Sequence, residues 1–174
     1  PVVYNTGSYE KPETLKLMEG LVDIYLPDLK YGSAEPGKRY SNAPDYFETA
    51  ASAIAEMVRQ VPEAVFEEGE EGMALMKRGV IVRHLVLPGG SMDSRRVLRF
   101  LHETYGNRIY ISIMNQYTPM RGLEGYPELN RRVGRRAYDR LIDFAIGLGI
   151  ENGFIQEGGT AKESFVPLWD GTGL

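Results

Sequence analysis

Apolar and polar positions along the chain alternate between short dense runs and longer spaced stripes. Five short runs rich in β-branched and aromatic residues read as strands, at 2–4, 22–26, 80–87, 109–114 and 153–156. None shows clean polar alternation, so each is expected to be covered on both faces. Between the runs, apolar residues return at helical spacing. Pro12 suits a first helical position, with Leu15, Met18 and Leu21 following at spacing three and Gly20 near the stop. Asp45 and Glu48 have the spacing of a capping box ahead of a stripe through Phe47, Ala51, Ile54, Val58 and Val61. Ser91 or Asp93 suits the cap of a helix carrying Val97, Leu98, Leu101 and Tyr105, ended by Gly106. Pro127 opens a predicted long helix with Leu129, Val133, Ala137, Leu141, Phe144 and Leu148 on one face, stopped by Gly149.

Strand followed by helix, repeated, implies an α/β fold with a parallel sheet and right-handed crossovers. Five strands are too few to close an eight-stranded barrel, which usually takes about 250 residues. An open or partial α/β barrel is expected, and a flavodoxin-like sheet is the alternative with the same periodicity. Residues 63–79 break the rhythm with Glu67, Glu68, Glu70 and Glu71, and read as a solvated acidic surface loop. The chain opens directly in the apolar run "PVVYNT", without a methionine. Termini are usually polar and loosely held, so a piece of a longer protein is expected.

Composition narrows the function. At 174 residues the chain can bury one good core. The net charge of −4 argues against a nucleic-acid binder, which usually carries a basic face. No apolar run approaches the roughly 20 residues of a membrane helix, and no signal peptide is evident, so a cytoplasmic protein is expected. Cysteine is absent and only His84 and His102 represent histidine. This excludes disulfides, a cysteine nucleophile and any iron–sulfur cluster held by this chain alone.

Polar residues gather where the predicted strands end: Asn5 and Thr6, Asp28 and Lys30, Arg83 within "VIVRHLVLPGG", Asn115, Gln116 and Tyr117, then Gln156 and Glu157. In parallel α/β folds those carboxyl ends share one face, where ligands bind. Asn5-Thr6-Gly7-Ser8 reads either as turn chemistry or as a ligand loop. Asp28 and Lys30 lie two apart on one strand face, as a surface ion pair or a ligand clamp. Arg83 and His84 point opposite ways; burying the charge among helices is costly, so Arg83 is placed in the mouth and His84 in the packing. Pro88-Gly89-Gly90 marks a turn that also permits close ligand approach. Arg131, Arg132, Arg135, Arg136 and Arg140 read as the solvated polar side of the last helix, with partner docking as the alternative. His102 is assigned no role.

Together "YNTGSYE", "DIYLPDLKY", "VIVRHLVLPGG", "YISIMNQYTPM" and "NGFIQEG" resemble the C-terminal half of radical S-adenosylmethionine proteins related to the pyruvate formate-lyase activating enzymes. The resemblance spans nearly the whole chain. It implies part of a (β/α)6 partial TIM barrel, in one domain lacking the strands that carry the family's CxxxCxxC loop and GGEP-like motif. It implies S-adenosylmethionine and a [4Fe–4S] cluster in the full-length parent, with the cluster outside this cysteine-free chain. The family's "DLK" matches Asp28 and Lys30, and its next-strand arginine matches Arg83. Its aspartate–threonine pair matches Asn5 and Thr6; the amide in place of the acid puts the family's monovalent cation in doubt. Gln116 and Tyr117 stand where the family has an adenine-contacting histidine. The resemblance implies a charged clamp for the cofactor's amino-acid end, and a 5′-deoxyadenosyl radical that abstracts hydrogen from a target such as a glycyl-radical enzyme.

Such a fragment is expected to be inactive alone, and to self-associate through the sheet edge an incomplete barrel exposes. Two other readings use the same residues. One is a complete small α/β-barrel lyase or aldolase with Lys30 as a Schiff-base nucleophile, activated by burial. The other is a non-catalytic binding module that docks a partner through its basic last helix.

Overall fold

A computed structural model describes residues 1–156 together with 163 and 164. The fold is mixed α/β with a mostly parallel sheet. Its strands are β1 (Val3–Thr6), β2 (Ile24–Pro27), β3 (Val65–Glu68), β4 (Ala74–Leu85), β5 (Tyr110–Met114), β6 (Gly153–Gln156) and β7 (Glu163–Ser164). The helices are α1 (Pro12–Lys16), α2 (Ala34–Ser41), α3 (Tyr46–Gln60), α4 (Ser91–Tyr105) and α5 (Arg135–Leu148). Strands follow the order β1-β2-β4-β5-β6-β7, with β3 beside β4. The chain divides into two compact units, Pro1–Arg83 with Arg108–Ile111, and His84–Asn107 with Ser112–Leu174. Among the described residues no helix is long and apolar enough to cross a membrane.

In the first unit, β1 and β2 run parallel from Val3 opposite Ile24 to Thr6 opposite Pro27, and β2 runs parallel to β4. Pro27 lacks an N–H, yet as the last residue of β2 it costs little, and the Asp28 N–H takes over by donating to Thr6 O at 2.8 Å. Tyr25, Val80 and Val82 are buried. α3 contributes Ala50, Ala53, Ile54, Met57 and Val58, which recur three and four apart and so share one face. In the second unit, α4 buries Val97, Leu98, Leu101 and Tyr105 and packs against α5, whose Tyr138, Leu141 and Ala145 are buried.

Several expectations are corrected. Residues 63–79 are not a loop: β3 pairs antiparallel with the first half of β4, joined by a short 3-10 turn, and the exposed glutamates merely hide a strand period. The last helix begins at Arg135, with Gly134 as N-cap, while Pro127 opens only a 3-10 turn that ends at Leu129. Hence Arg131 and Arg132 precede the helix. α1 stops at Lys16, and of its predicted stripe only Leu15 is buried, Leu21 remaining largely exposed. β1 alternates exposed and half-buried residues instead of being covered on both faces. Neither predicted side-chain cap forms: Asp45 begins α3 without a cap hydrogen bond, and Gly90, not Ser91 or Asp93, precedes α4. α2 has no sequence stripe to announce it; Gly37 is required there because a Cβ would meet Ala43 O at 2.5 Å.

Candidate functional site

The ends of β1, β2 and β4 bring three sequence-distant polar groups together in the first unit. Parallel register sets Thr6 beside Pro27, and a bridge sets Asp28 beside Arg83. Both sides of this segment are tied by backbone, since Leu29 N–H donates to Arg83 O at 2.9 Å. The Arg83 guanidinium then closes over Asp28. Its Nε donates to Asp28 Oδ1 at 2.8 Å, its Nη2 lies 2.7 Å from the same oxygen, and Nη2 also donates to Asn5 Oδ1 at 2.6 Å. Asp28 Oδ2 keeps no such partner among the described residues. Both side chains of the pair are about a quarter exposed, so solvent screens it and its own contribution to stability is about 1 kcal/mol.

Lys30 sits on the rim of this group. Its side chain is exposed and its ammonium has no ion-pair partner among the described residues. It stands near the turn after β1: a Cβ on Gly7 would lie 3.9 Å from Lys30 Nζ. Of the two readings of Asp28 and Lys30, the direct ion pair does not form: Asp28 pairs with Arg83 instead. Exposure also leaves Lys30 without the burial that a Schiff-base lysine requires.

One aromatic hydroxyl binds the strand ends to each other. Tyr46, at the start of α3 and only 4% exposed, accepts the Lys30 N–H at 3.0 Å. Its own proton is shared between Gly7 O and Asp28 O, each 3.0 Å away. Burial pushes the Tyr46 hydroxyl far above the ordinary phenol range, so it stays a neutral donor. The ring stacks on Tyr9 at 6.1 Å and meets Tyr31 edge-on at 5.3 Å, while Tyr9 Oη donates to Asp45. Tyr46 was not anticipated from sequence, nor was Glu10, which accepts from Thr6 Oγ1 and, at 3.1 Å, from the Tyr4 hydroxyl. Burial, then the Glu10 charge, raises the pKa of Tyr4. Thr6 is thus engaged inside its own turn, where its Oγ1 also accepts the Ser8 N–H at 3.0 Å.

Ser8 adds a strained element to the same turn. It is fully buried at φ +66°, and its Oγ has no hydrogen-bond partner among the described residues. A non-glycine residue rarely holds this backbone conformation, and an unsatisfied buried hydroxyl compounds the cost.

The second unit holds the other anticipated residues. His84 is 2% exposed with Nε2 2.8 Å from Ser94 Oγ, a packed and satisfied histidine. Tyr117 Oη donates to Leu129 O at 2.8 Å, pinning the segment after β5, and Gln116 is exposed. Glu157 lies outside the described residues, and Gln156 is described only as the last residue of β6. Among the described residues no group of three potential metal ligands occurs.

No family model and no solved structure matches the chain. It is similar to the uncharacterized protein MJ0674 of Methanocaldococcus jannaschii, 28% identical over 147 residues. The alignment covers 83% of this chain and 38% of that relative, so the chain spans well under half of the relative's length.

Proposed function

We propose that this chain is the later part of a radical S-adenosylmethionine enzyme related to the pyruvate formate-lyase activating enzymes. In this reading the strands form part of a (β/α)6 barrel, and the ends of β1, β2 and β4 hold the amino-acid end of S-adenosylmethionine. The observation that carries the reading is the cluster of Asn5, Arg83 and Asp28 beside the free ammonium of Lys30. A zwitterion needs an anion acceptor and a cation donor a few ångströms apart. Here Lys30 is available for a carboxylate and Asp28 Oδ2 for an ammonium group, while Arg83 and Asn5 hold Asp28 in place. Tyr46 keeps the two turns in register, so the clamp is formed before the ligand arrives.

The donor set fits S-adenosylmethionine and not an iron–sulfur cluster: the chain has no cysteine. Any cluster belongs to residues outside it. Bound S-adenosylmethionine would supply a hydrogen-abstracting adenosyl carbon once an electron from a cluster outside this chain cleaves its sulfur–carbon bond and releases methionine. The part of this chain is to bind and orient the cofactor, and alone it is inactive. The hydrogen donor proposed for the parent is a glycyl-radical enzyme, in the cytoplasm. The exposed Val2, Val3, Leu17 and Leu21 of the first unit are the surface through which the isolated chain would self-associate, which size-exclusion chromatography tests.

The test is calorimetric titration of S-adenosylmethionine into the protein expressed with its upstream residues. Binding is expected, weakened roughly tenfold by Lys30→Met and by Asp28→Asn. Absence of binding, or binding indifferent to both substitutions, overturns the assignment of the clamp. A CxxxCxxC motif is expected upstream in the gene; without one, the radical chemistry is removed even if the cofactor binds.

A further inference from the structure

The second unit carries a charged surface that the clamp does not use. Residues 84–107 and 112–156 hold nine arginines, no lysine and seven acidic side chains, a formal +2, whereas residues 1–83 and 108–111 hold ten bases and fourteen acids, a formal −4. Part of that excess is organised. On α4, Arg95 and Arg99 lie one turn apart, and both guanidinium groups sit over the Phe144 ring of α5, at 5.0 and 5.5 Å from its centre. On α5, Arg136 and Arg140 stand two turns and one turn before Phe144, and so continue the same ridge. One arginine pair thus covers a half-buried aromatic ring, and a second continues the helix row that leads to it.

None of the four has a carboxylate within ion-pair distance among the described residues; the pair on α5 that does form, Arg135 with Asp139 at 3.9 Å, lies farther round the helix. Asp139 and Asp143, three residues after Arg136 and Arg140, and Glu103, four after Arg99, are helix neighbours of these arginines, yet none of them closes an ion pair with the four among the described residues. The four cations hold no direct ion pair among the described residues, and stacking on Phe144 restricts Arg95 and Arg99 in orientation. Restricted forks lose less entropy when they meet a planar anion.

We propose that the α4–α5 face is a docking surface for an acidic segment of a protein partner. Arg136 and Arg140 are separated by about 6 Å along the helix axis, which matches carboxylates four apart on a partner helix or two apart on an extended strand. The net charge of −4 disfavours the long-range approach of a nucleic acid, while a short acidic peptide feels mainly the local field. This inference is independent of the cofactor clamp, which lies in the other unit.

The full chain is titrated with a fluorescein-labelled oligoglutamate peptide and, separately, with a single-stranded RNA of mixed sequence, read by fluorescence anisotropy at low and physiological salt. Peptide binding is expected, weakening with salt and falling at least roughly tenfold in Arg136→Glu/Arg140→Glu. The neutral pair Arg136→Gln/Arg140→Gln should fall in the same direction and serves if the reversal does not fold. Arg99→Lys, which keeps charge but loses the fork, is expected to fall severalfold. Reversal of Lys11 and Lys16 to glutamate, in the first unit, should leave binding unchanged. No binding at low salt, or an equal loss in the Lys11/Lys16 variant, overturns the proposal. Tighter capture of the RNA than of the peptide replaces the protein partner with a nucleic acid.

Discussion

The strand ends of the first unit and the arginine face of the second use the same side chain for opposite purposes. Arg83 is spent inside the protein, its guanidinium committed to Asp28 and Asn5, and the proposed clamp it supports would offer one acid and one base to a small zwitterion. Arg95, Arg99, Arg136 and Arg140 close no ion pair among the described residues, and two of them stack on an aromatic ring. The supports differ as well. The clamp is fixed by hydrogen bonds that converge on Tyr46, whereas the arginine face rests on helix packing. An arginine's function is therefore set by whether its neighbours neutralise it, and its rigidity by what lies beneath.

The largest effect should come from cutting the packing beneath the arginine face. Leu98, on the inner face of α4, is fully buried. Leu98→Ala is expected to cost about 3 kcal/mol, through lost burial and a residual cavity, measured as a lowered urea midpoint. A cost under about 1 kcal/mol would mean that packing is not what supports this face.

Tyr46→Phe makes the matching cut in the first unit. It keeps the ring and removes the hydroxyl, leaving the Lys30 N–H and the carbonyls of Gly7 and Asp28 short of a partner. A loss of about 2 kcal/mol is expected, together with weaker S-adenosylmethionine binding. If stability falls but affinity does not, Tyr46 supports the fold without preparing the clamp.

Acid should separate the two regions further. In the first unit the buried Glu56 accepts from the Arg59 fork and from Gln60, whose own carbonyl takes the Tyr25 hydroxyl at 2.5 Å. Arg59 first, then Gln60, holds Glu56 down from the ordinary 4.5 to about 2. A carboxylate depressed by folding contributes stability that is complete above its unfolded pKa and lost as pH falls through the folded one. The chain should therefore lose stability between about pH 4.5 and about 2, and Glu56→Gln should flatten the profile in that window. Identical profiles for both proteins would remove Glu56 from the account.

How legible these regions were depends on whether the cause is local. The α4 stripe through Val97, Leu98, Leu101 and Tyr105 was readable because buried helices impose a period, and all four are buried. Arg83 and His84 separated correctly because a strand alternates its faces. On α3 the true face runs through Tyr46, Ala50, Ala53 and Met57 as well as Ile54 and Val58. Its alanines make both sides look apolar, so the predicted stripe slid by one at Phe47 and Ala51. The β3–β4 hairpin was hidden by exposed glutamates, and α2 by its proline and glycine. Tyr46 left no sequence signal, since its hydroxyl meets backbone 39 and 18 residues away. The pairing of Asp28 with Arg83 across 55 residues likewise follows from strand register, which periodicity alone does not supply.

The smallest expected effect is also the most discriminating for the clamp. Ser8 holds a left-handed backbone, φ +66°, that glycine adopts without strain, and it buries a hydroxyl with no hydrogen-bond partner among the described residues. Judged on stability alone, serine is the wrong residue there. Ser8→Gly should raise stability by roughly 0.5–1 kcal/mol, because relief of the backbone and loss of the orphan hydroxyl outweigh glycine's greater freedom when unfolded. Its N–H would still donate to Thr6 Oγ1, so the turn that faces Lys30 should keep its shape. Strain of this kind persists where a function uses it. A variant that is more stable yet binds S-adenosylmethionine several times more weakly would place the Ser8 hydroxyl among the groups that meet the ligand. A variant more stable with unchanged affinity would confine the clamp to Asp28 and Lys30.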